Sequence, residues 1–217
     1  MYKTVLFDLD GTLLNTLEDI AAAANHALSV LGFPQHPPDA YRQMVGNSSR
    51  KLVERMLPEE NRGVSTQAVA FELYTKTYAK SSTVFTCPYP GIPALLGKLK
   101  SEGVQLGVLS NKDDINVQLV ISKYFPQTFD AAAGLREGFA PKPDPASVLE
   151  MLRILEADPA STLYCGDSDV DVLTSHNAGL ACCGVSWGFR GEHELRAAGA
   201  NFIVQDAVAL QQLILGH

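Results

Sequence analysis

The sequence predicts an α/β fold, a parallel sheet covered by helices on both faces, with an all-helical cap inserted near its start. Three observations carry this. Residues 4–9, TVLFDL, form the short apolar and β-branched run of a buried parallel strand. From residue 92 onward, helix-like and strand-like runs alternate. Between them, from about 15 to 81, apolar residues recur only at helical spacing.

The elements follow in order. Gly11 ends the first strand. Leu17, Ile20, Ala24, Ala27, Leu28 and Leu31 then mark a helix, with Gly32 as its stop. Leu52, Val53, Met56 and Leu57 make a second apolar face, closed by Pro58, and Phe71, Tyr74 and Tyr78 a third. Cys87-Pro88-Tyr89-Pro90-Gly91 reads as a turn-rich break. Helices are predicted over 92–101, 113–124, 145–156 and 169–178. Strands are predicted over 104–109, near Phe129, over 162–166 and over 181–186. The chain closes as helix, strand (202–204) and helix. The expected division is an α/β core of residues 1–14 and 82–217, with residues 15–81 as a helical cap. Ligands of such sheets bind beyond the carboxyl ends of the strands, near a topological switch point.

A chain of 217 residues can hold one core domain and a smaller insert. With 46% apolar and 19% charged residues it has an ordinary globular composition. Its net charge of −7 argues against a nucleic-acid surface, which needs Lys and Arg to neutralise phosphates, and against docking on anionic membranes. No apolar run reaches the ~18 residues of a membrane span, and the N-terminus is too short and acidic for a signal peptide. Cys87, Cys165, Cys182 and Cys183 do not have zinc spacing; the adjacent pair lies in an apolar stretch and reads as reduced core thiols. A cytoplasmic protein is expected.

Four predicted strand ends carry polar residues: Asp8-Leu9-Asp10-Gly11-Thr12, Ser110-Asn111-Lys112, Pro141-Lys142-Pro143-Asp144 and Gly166-Asp167-Ser168-Asp169-Val170-Asp171. Each alone is commonly a turn or a helix cap. All four together, at the ends of strands, form a constellation suited to phosphoryl transfer, which needs positioning and charge neutralisation above all. A carboxylate can attack phosphorus and form an aspartyl-phosphate. Two anions repel, so a divalent cation must bridge them, and Mg2+ suits a site of carboxylates and phosphate oxygens. On this reading Asp8 attacks, Asp10 handles the leaving-group proton, Ser110 bonds a phosphoryl oxygen and Lys142 neutralises charge. Asp167 completes the metal site and Asp171 supports it.

FDLDGTL, LSNK, PKPDP and CGDSDVD, in this order, resemble the four motifs of the haloacid dehalogenase superfamily, and the resemblance spans nearly the whole chain. It implies a Rossmann-like core with a helical cap inserted after the first motif. It implies Asp8 as nucleophile and Asp10 as general acid/base. The metal ligands it implies are the Asp8 side chain, the Asp10 backbone carbonyl and Asp167. Thr12, Ser110, Asn111 and Lys142 would serve the phosphate and substrate, with Thr12 also supporting the first motif, and Asp171 would stand behind the metal ligands. Dehalogenating members lack an Asp at the place of Asp10, so its presence selects phosphate chemistry. Within the phosphatases, DGTLLNT, PYPG, SNK and GVSWGFRGEHEL are most similar to the phosphoglycolate phosphatase branch.

The expected partner is therefore a small phosphorylated metabolite such as 2-phosphoglycolate, acted on by a monomer or homodimer. Pyrophosphatase, sugar phosphatase and β-phosphoglucomutase activities are the alternatives within the superfamily; a regulatory module that has lost catalysis is the alternative outside it. Arg42 and Arg50 are candidates to meet a substrate carboxylate, with the Gly46-Asn47-Ser48 turn. Trp187 and Phe189 either line the entrance or pack a loop. His26 reads as packed or half exposed and His176 as structural.

Overall fold

The computed structural model describes residues 1–216. Strand β1 (Thr4–Phe7) enters the short strand β2 (Leu14–Asn15), then helix α1 (Leu17–Val30), α2 (Ser49–Met56) and α3 (Val64–Ser81). The chain returns through β3 (Cys87–Pro88) to α4 (Ile92–Ser101), β4 (Gln105–Asp113), α5 (Asp114–Tyr124) and β5 (Ala131–Leu135). It ends as α6 (Ala146–Ile154), β6 (Thr162–Gly166), α7 (Asp169–Asn177), β7 (Ala181–Val185), α8 (Gly191–Ala197), β8 (Phe202–Val204) and α9 (Ala207–Leu215).

Six strands form one sheet in the order β5-β4-β1-β6-β7-β8, and every pairing in it is parallel. This is the α/β sheet that the alternating pattern predicts. Side chains alternate across each strand. Val5 and Phe7 join Leu106, Val108, Leu163 and Cys165 on one face, against apolar residues of α4, α5 and α9. Leu6, Leu109 and Tyr164 point to the other face, against Val148, Met151 and Leu152 of α6. The chain leaves β1 toward β4 and β5, and later fills the other side through β6, β7 and β8. The direction of the connections thus reverses between β1 and β6, the place where such sheets bind ligands.

A second apolar cluster lies apart from the sheet. Leu17, Ala24 and Leu28 of α1 meet Leu52 and Met56 of α2 and Tyr74 and Tyr78 of α3. Phe189, from the loop after β7, joins them.

Two local features differ from the expected pattern. The stretch around Cys87-Pro88 is not only a turn. It pairs antiparallel with Leu14–Asn15, so the two connections to the helical segment run side by side. Two-residue strands carry no periodicity that a sequence could show. Strand β4 also runs on to Asp113, through an irregular register after Leu109, so Ser110 and Asn111 lie inside it. His26 and His176 are both exposed. Cys165, Cys182 and Cys183 are buried and Cys87 exposed, and all four are free thiols.

The return connection is fastened by a buried acid. Asp19 of α1 is 1% exposed. Its carboxylate accepts from the Phe85 and Thr86 amides at 3.0 and 2.9 Å and from the Thr86 hydroxyl at 2.7 Å. Removing it leaves buried donors unmade, which costs more than the bonds themselves contribute. Asp19→Ala should lower the free energy of unfolding by roughly 1.5–3 kcal/mol, measured by urea titration. A loss within error of zero would show that the clamp contributes nothing.

Candidate active site

The four polar segments meet in one cleft between the sheet and the second apolar cluster, although Ser110 and Asn111 lie inside β4 and Lys142 lies in the connection from β5 to α6 rather than at a strand end. Asp8, Asp10, Ser110, Asn111, Lys142, Asp167 and Asp171 all line it. From the helical segment come Ser48, Ser49, Leu52, Tyr74 and Tyr78. Parallel pairing explains the convergence: Asp8 follows β1, Asp167 follows the adjacent β6, and β4 carries Ser110 on the other side of β1.

Lys142 is the hub. Its ammonium donates to Asp8 Oδ1 at 2.7 Å, Asp171 Oδ1 at 2.6 Å and the Tyr164 hydroxyl at 3.1 Å. Burial alone would lower its pKa, but Asp171 and Asp8 more than offset this and hold it well above the usual lysine range. Asp171 has both oxygens occupied, one by Lys142 and the other by the Ser168 hydroxyl at 2.6 Å and amide at 3.2 Å. These bonds make a capping box at the start of α7.

Asp167 packs against glycines. A Cβ on Gly11 would lie 2.2 Å from Asp167 Oδ2, and Gly11 has a φ of 93° that favours glycine in any case. A Cβ on Gly188 would lie 2.4 Å from the same oxygen. The Phe189 amide donates to that oxygen at 2.6 Å. Burial raises the Asp167 pKa well above the carboxylate range, with further repulsion from Asp8 and Asp171. Burial likewise pushes Asp8 up to about 7 against the pull of Lys142.

Oxygens of Asp8, Asp167 and Asp171 all lie within 4.8 Å of one another. The Asp10 side chain, expected as acid/base while its backbone carbonyl serves the metal, turns to Lys112. Lys112 Nζ bonds both Asp10 oxygens, at 2.9 and 2.7 Å. The cleft therefore holds four buried or nearly buried carboxylates and two buried lysines. With all four acids ionised the shortfall is two positive charges, which a divalent cation would supply. Carboxylate oxygens are the donors that Mg2+ takes, and the residues present fit it.

Several expected residues have other duties. Asn111 does line the cleft, but its side chain accepts from the Lys142 amide at 2.7 Å and donates to the Lys142 and Gly46 carbonyls at 3.1 and 2.9 Å. It holds Lys142 in place rather than presenting a free amide to phosphate. Thr12 is fully buried and does not line the cleft. Arg42 bonds Asp39 at 3.1 Å and the Gly188 carbonyl at 3.2 Å. Arg50 is exposed, with its guanidinium 4.4 Å from the centre of the Phe71 ring. Neither arginine lines the cleft. Both were singled out by charge alone, and their nearest partners decide where they point.

Lys112, Tyr78, Tyr164 and Arg190 carry no role in the sequence reading. Arg190 lines the cleft and ties the loop after β7 to the helical segment, donating to the Val45 carbonyl at 2.9 Å and to the Arg42 carbonyl. Trp187 does not line the cleft and donates to the Thr12 carbonyl at 3.0 Å, whereas Phe189 does line it.

The family model for haloacid dehalogenase-like hydrolases matches residues 5–185. The chain belongs to this family. As its four motifs predicted, it is an enzyme, a hydrolase of the haloacid dehalogenase class. The phosphoglycolate phosphatase of Aquifex aeolicus (strain VF5) is 34% identical over 188 residues, covering 86% of each chain. That of Psychrobacter arcticus is 32% identical over 220 residues, covering 98% of this chain and 96% of its own. A solved structure from Lactobacillus delbrueckii subsp. bulgaricus superposes on this haloacid dehalogenase-like fold with a TM-score of 0.95 at 30% identity, covering 100% of this chain and 99% of its own. Among the described residues, no helix is long and apolar enough to cross a membrane.

The charge deficit predicts a pH dependence. The Asp8 carboxyl stands at about 7 in the folded chain against an ordinary 3.8. An acid that is more easily protonated when folded favours the fold at low pH. That contribution is lost as pH rises from about 4 to about 7. Asp8→Asn cannot ionise, so in chelator its Tm advantage over the unaltered chain should grow across this window. A divalent cation should shrink the advantage by binding the ionised acid. Thermal melts from pH 4 to 8 read both effects, and an advantage that stays flat with pH contradicts the account.

Proposed function

We propose that this chain is a magnesium-dependent phosphatase that hydrolyses small phosphate monoesters, 2-phosphoglycolate in particular, through a phospho-Asp8 intermediate. The observation that carries the reading is Asp8 itself. It faces a cleft short of two positive charges, with one oxygen gripped by Lys142. The relatives named above as phosphoglycolate phosphatases, matched over most of their length, support the choice of substrate.

The chain's own residues act as follows. An Asp8 oxygen attacks phosphorus, the bond from phosphorus to the ester oxygen breaks, and Asp10 gives that oxygen a proton. Water then attacks the phosphorus of phospho-Asp8, Asp10 takes the proton, and phosphate leaves. Lys142 and the Ser110 hydroxyl hold phosphoryl oxygens, and Lys142 keeps Asp8 oriented. The Asp8 and Asp167 side chains and the Asp10 carbonyl would hold Mg2+, which supplies charge neutralisation between carboxylate and phosphate. Residues 15–81 act as a cap that sets the substrate, and residues 1–14 and 82–217 as the core that sets the chemistry. The buried free thiols fit a reducing cytoplasm.

The helical segment covers the cleft with Ser48, Ser49, Leu52, Tyr74 and Tyr78, which suits a small ester.

Chelation should abolish turnover of p-nitrophenyl phosphate, and added Mg2+ should restore it. Full activity in metal-free buffer would remove the basis of the reading. Asp8→Asn should retain the fold by circular dichroism and lose at least about a tenfold factor in rate, roughly 1.4 kcal/mol of transition-state stabilisation. Asp10→Ala should slow phosphorylation by an alkyl phosphate more than by p-nitrophenyl phosphate, whose leaving group needs no proton. Equal losses in single-turnover measurements would contradict the acid role.

A further inference from the structure

The cleft contains a second cationic point besides Lys142, and the mechanism above gives it no role. Lys112 Nζ is buried, with the side chain 6% exposed. It grips both oxygens of Asp10, the geometry of a bound carboxylate. The Tyr78 ring of α3 lies over it, 4.8 Å from Nζ to the ring centroid. Tyr78 is 2% exposed and lines the cleft, and its hydroxyl proton meets no acceptor. Buried hydroxyls are ordinarily satisfied, and one left bare beside an ammonium is a donor in want of an acceptor. Lys112 belongs to the core and Tyr78 to the helical segment, so the two donors face each other across the cleft.

We propose that Lys112 and the Tyr78 hydroxyl bind a carboxylate on the non-transferred end of the substrate, which takes the place of Asp10 on Lys112 and lies closer to Tyr78 than Asp10 does in this structure. The proposal rests on the phosphatase reading and specifies its substrate class. Asp10 serves the ester oxygen of the leaving group. A group one or two bonds beyond that oxygen reaches what lies beside Asp10, and that is Lys112. The incoming carboxylate replaces Asp10 on Lys112, so the buried ammonium is never left unpaired, the costly alternative in a cleft of this kind. Asp10, displaced, turns toward the ester oxygen as the protonated acid that the mechanism requires. A neutral tail offers no such exchange.

The charge at this end of the cleft also limits the ligand. One ammonium and one hydroxyl match a single negative charge. Asp113 lines the same cleft and accepts from the Ser49 hydroxyl at 3.2 Å, and its charge opposes a second dianionic group. A carboxylate suits the point better than a second phosphate. Arg42 and Arg50, the other cations considered for this duty, do not reach the cleft.

Ethyl phosphate is 2-phosphoglycolate with a methyl group in place of the carboxylate, so the ratio of kcat/KM for the two esters reads the site directly. The ratio should favour 2-phosphoglycolate in the unaltered enzyme with Mg2+. It should fall roughly 10–100-fold in Lys112→Met, as expected for loss of a charge-assisted bond. In Tyr78→Phe, which keeps the ring over Lys112, it should fall several-fold. Lys112→Arg should retain most of the preference. Glycolate should inhibit p-nitrophenyl phosphate hydrolysis competitively, and Lys112→Met should weaken that inhibition by a similar factor. Thermal melts of each variant confirm folding, and Tyr78→Phe keeps the test open if Lys112→Met does not fold. Equal losses on both esters would mean that Lys112 only holds Asp10, and the site would be rejected. An unaltered enzyme that cleaves p-nitrophenyl phosphate without preferring 2-phosphoglycolate to ethyl phosphate rejects the carboxylate site and leaves the phosphatase reading. An unaltered enzyme that cleaves none of the three rejects both.

Discussion

Four carboxylates share one buried cleft with two lysines, and the rest of the structure around them is arranged to make that tolerable. Buried charge is costly unless it is paired and hydrogen-bonded. Lys142 therefore serves two acids at once, at 2.7 and 2.6 Å. Its backbone is held by Asn111, and Tyr164 adds a hydroxyl from below. Asp171 is satisfied by the Ser168 box at the start of α7, so one local motif both starts a helix and steadies an acid. Glycines at 11 and 188 let Asp167 pack where a Cβ would collide. Remove any one of these supports and an ion is left in the cleft without its partner.

The helical segment is joined to this centre by contacts of different kinds. Its two connections lie side by side as β2 and β3, and Asp19 pins the second of them. Across the cleft, the loop after β7 sends Phe189 into the apolar cluster of the helices and Arg190 to the carbonyls of residues 42 and 45. The same loop gives the Phe189 amide to Asp167. The position of the helical segment is thus tied, through a few residues of one loop, to that of an acid in the cleft.

The sheet and the cleft were legible in the sequence because strand ends are. A short apolar run followed by an acid, as at Asp8 and Asp167, needs no partner to be recognised, and two such ends meet where their strands are adjacent. What escaped depends on distant pairing. Lys112 belongs to a polar segment singled out in the sequence, but its duty appears only when Asp10, 102 positions away, is placed against it. Gly188 lies in the GVSWGFRGEHEL stretch, and only the structure shows Asp167 packed on it. Strands β2 and β3 have two residues each and no pattern to read. Arg42 and Arg50 erred in the other direction. Charge made them candidates, but Asp39, the Gly188 carbonyl and the Phe71 ring hold them outside the cleft.

The division of charge between the two lysines is what separates two tasks in one small space. Lys112 and Asp10 cancel as a pair, so the excess negative charge belongs to Asp8, Asp167 and Asp171 around Lys142. On the proposed reading a divalent cation would bring that group to neutrality before an anionic ester enters, and an ester approaching without it would meet a net repulsion. The pair at Lys112 has no such excess; a substrate carboxylate that displaces Asp10 keeps Lys112 paired, and Asp10, carrying the proton it gives to the ester oxygen, adds no charge. On the proposed reading, the phosphoryl end of the substrate is governed by the metal-dependent group and the other end by the neutral pair. Neighbouring strand ends can then carry the chemistry and the choice of substrate without either disturbing the electrostatics of the other.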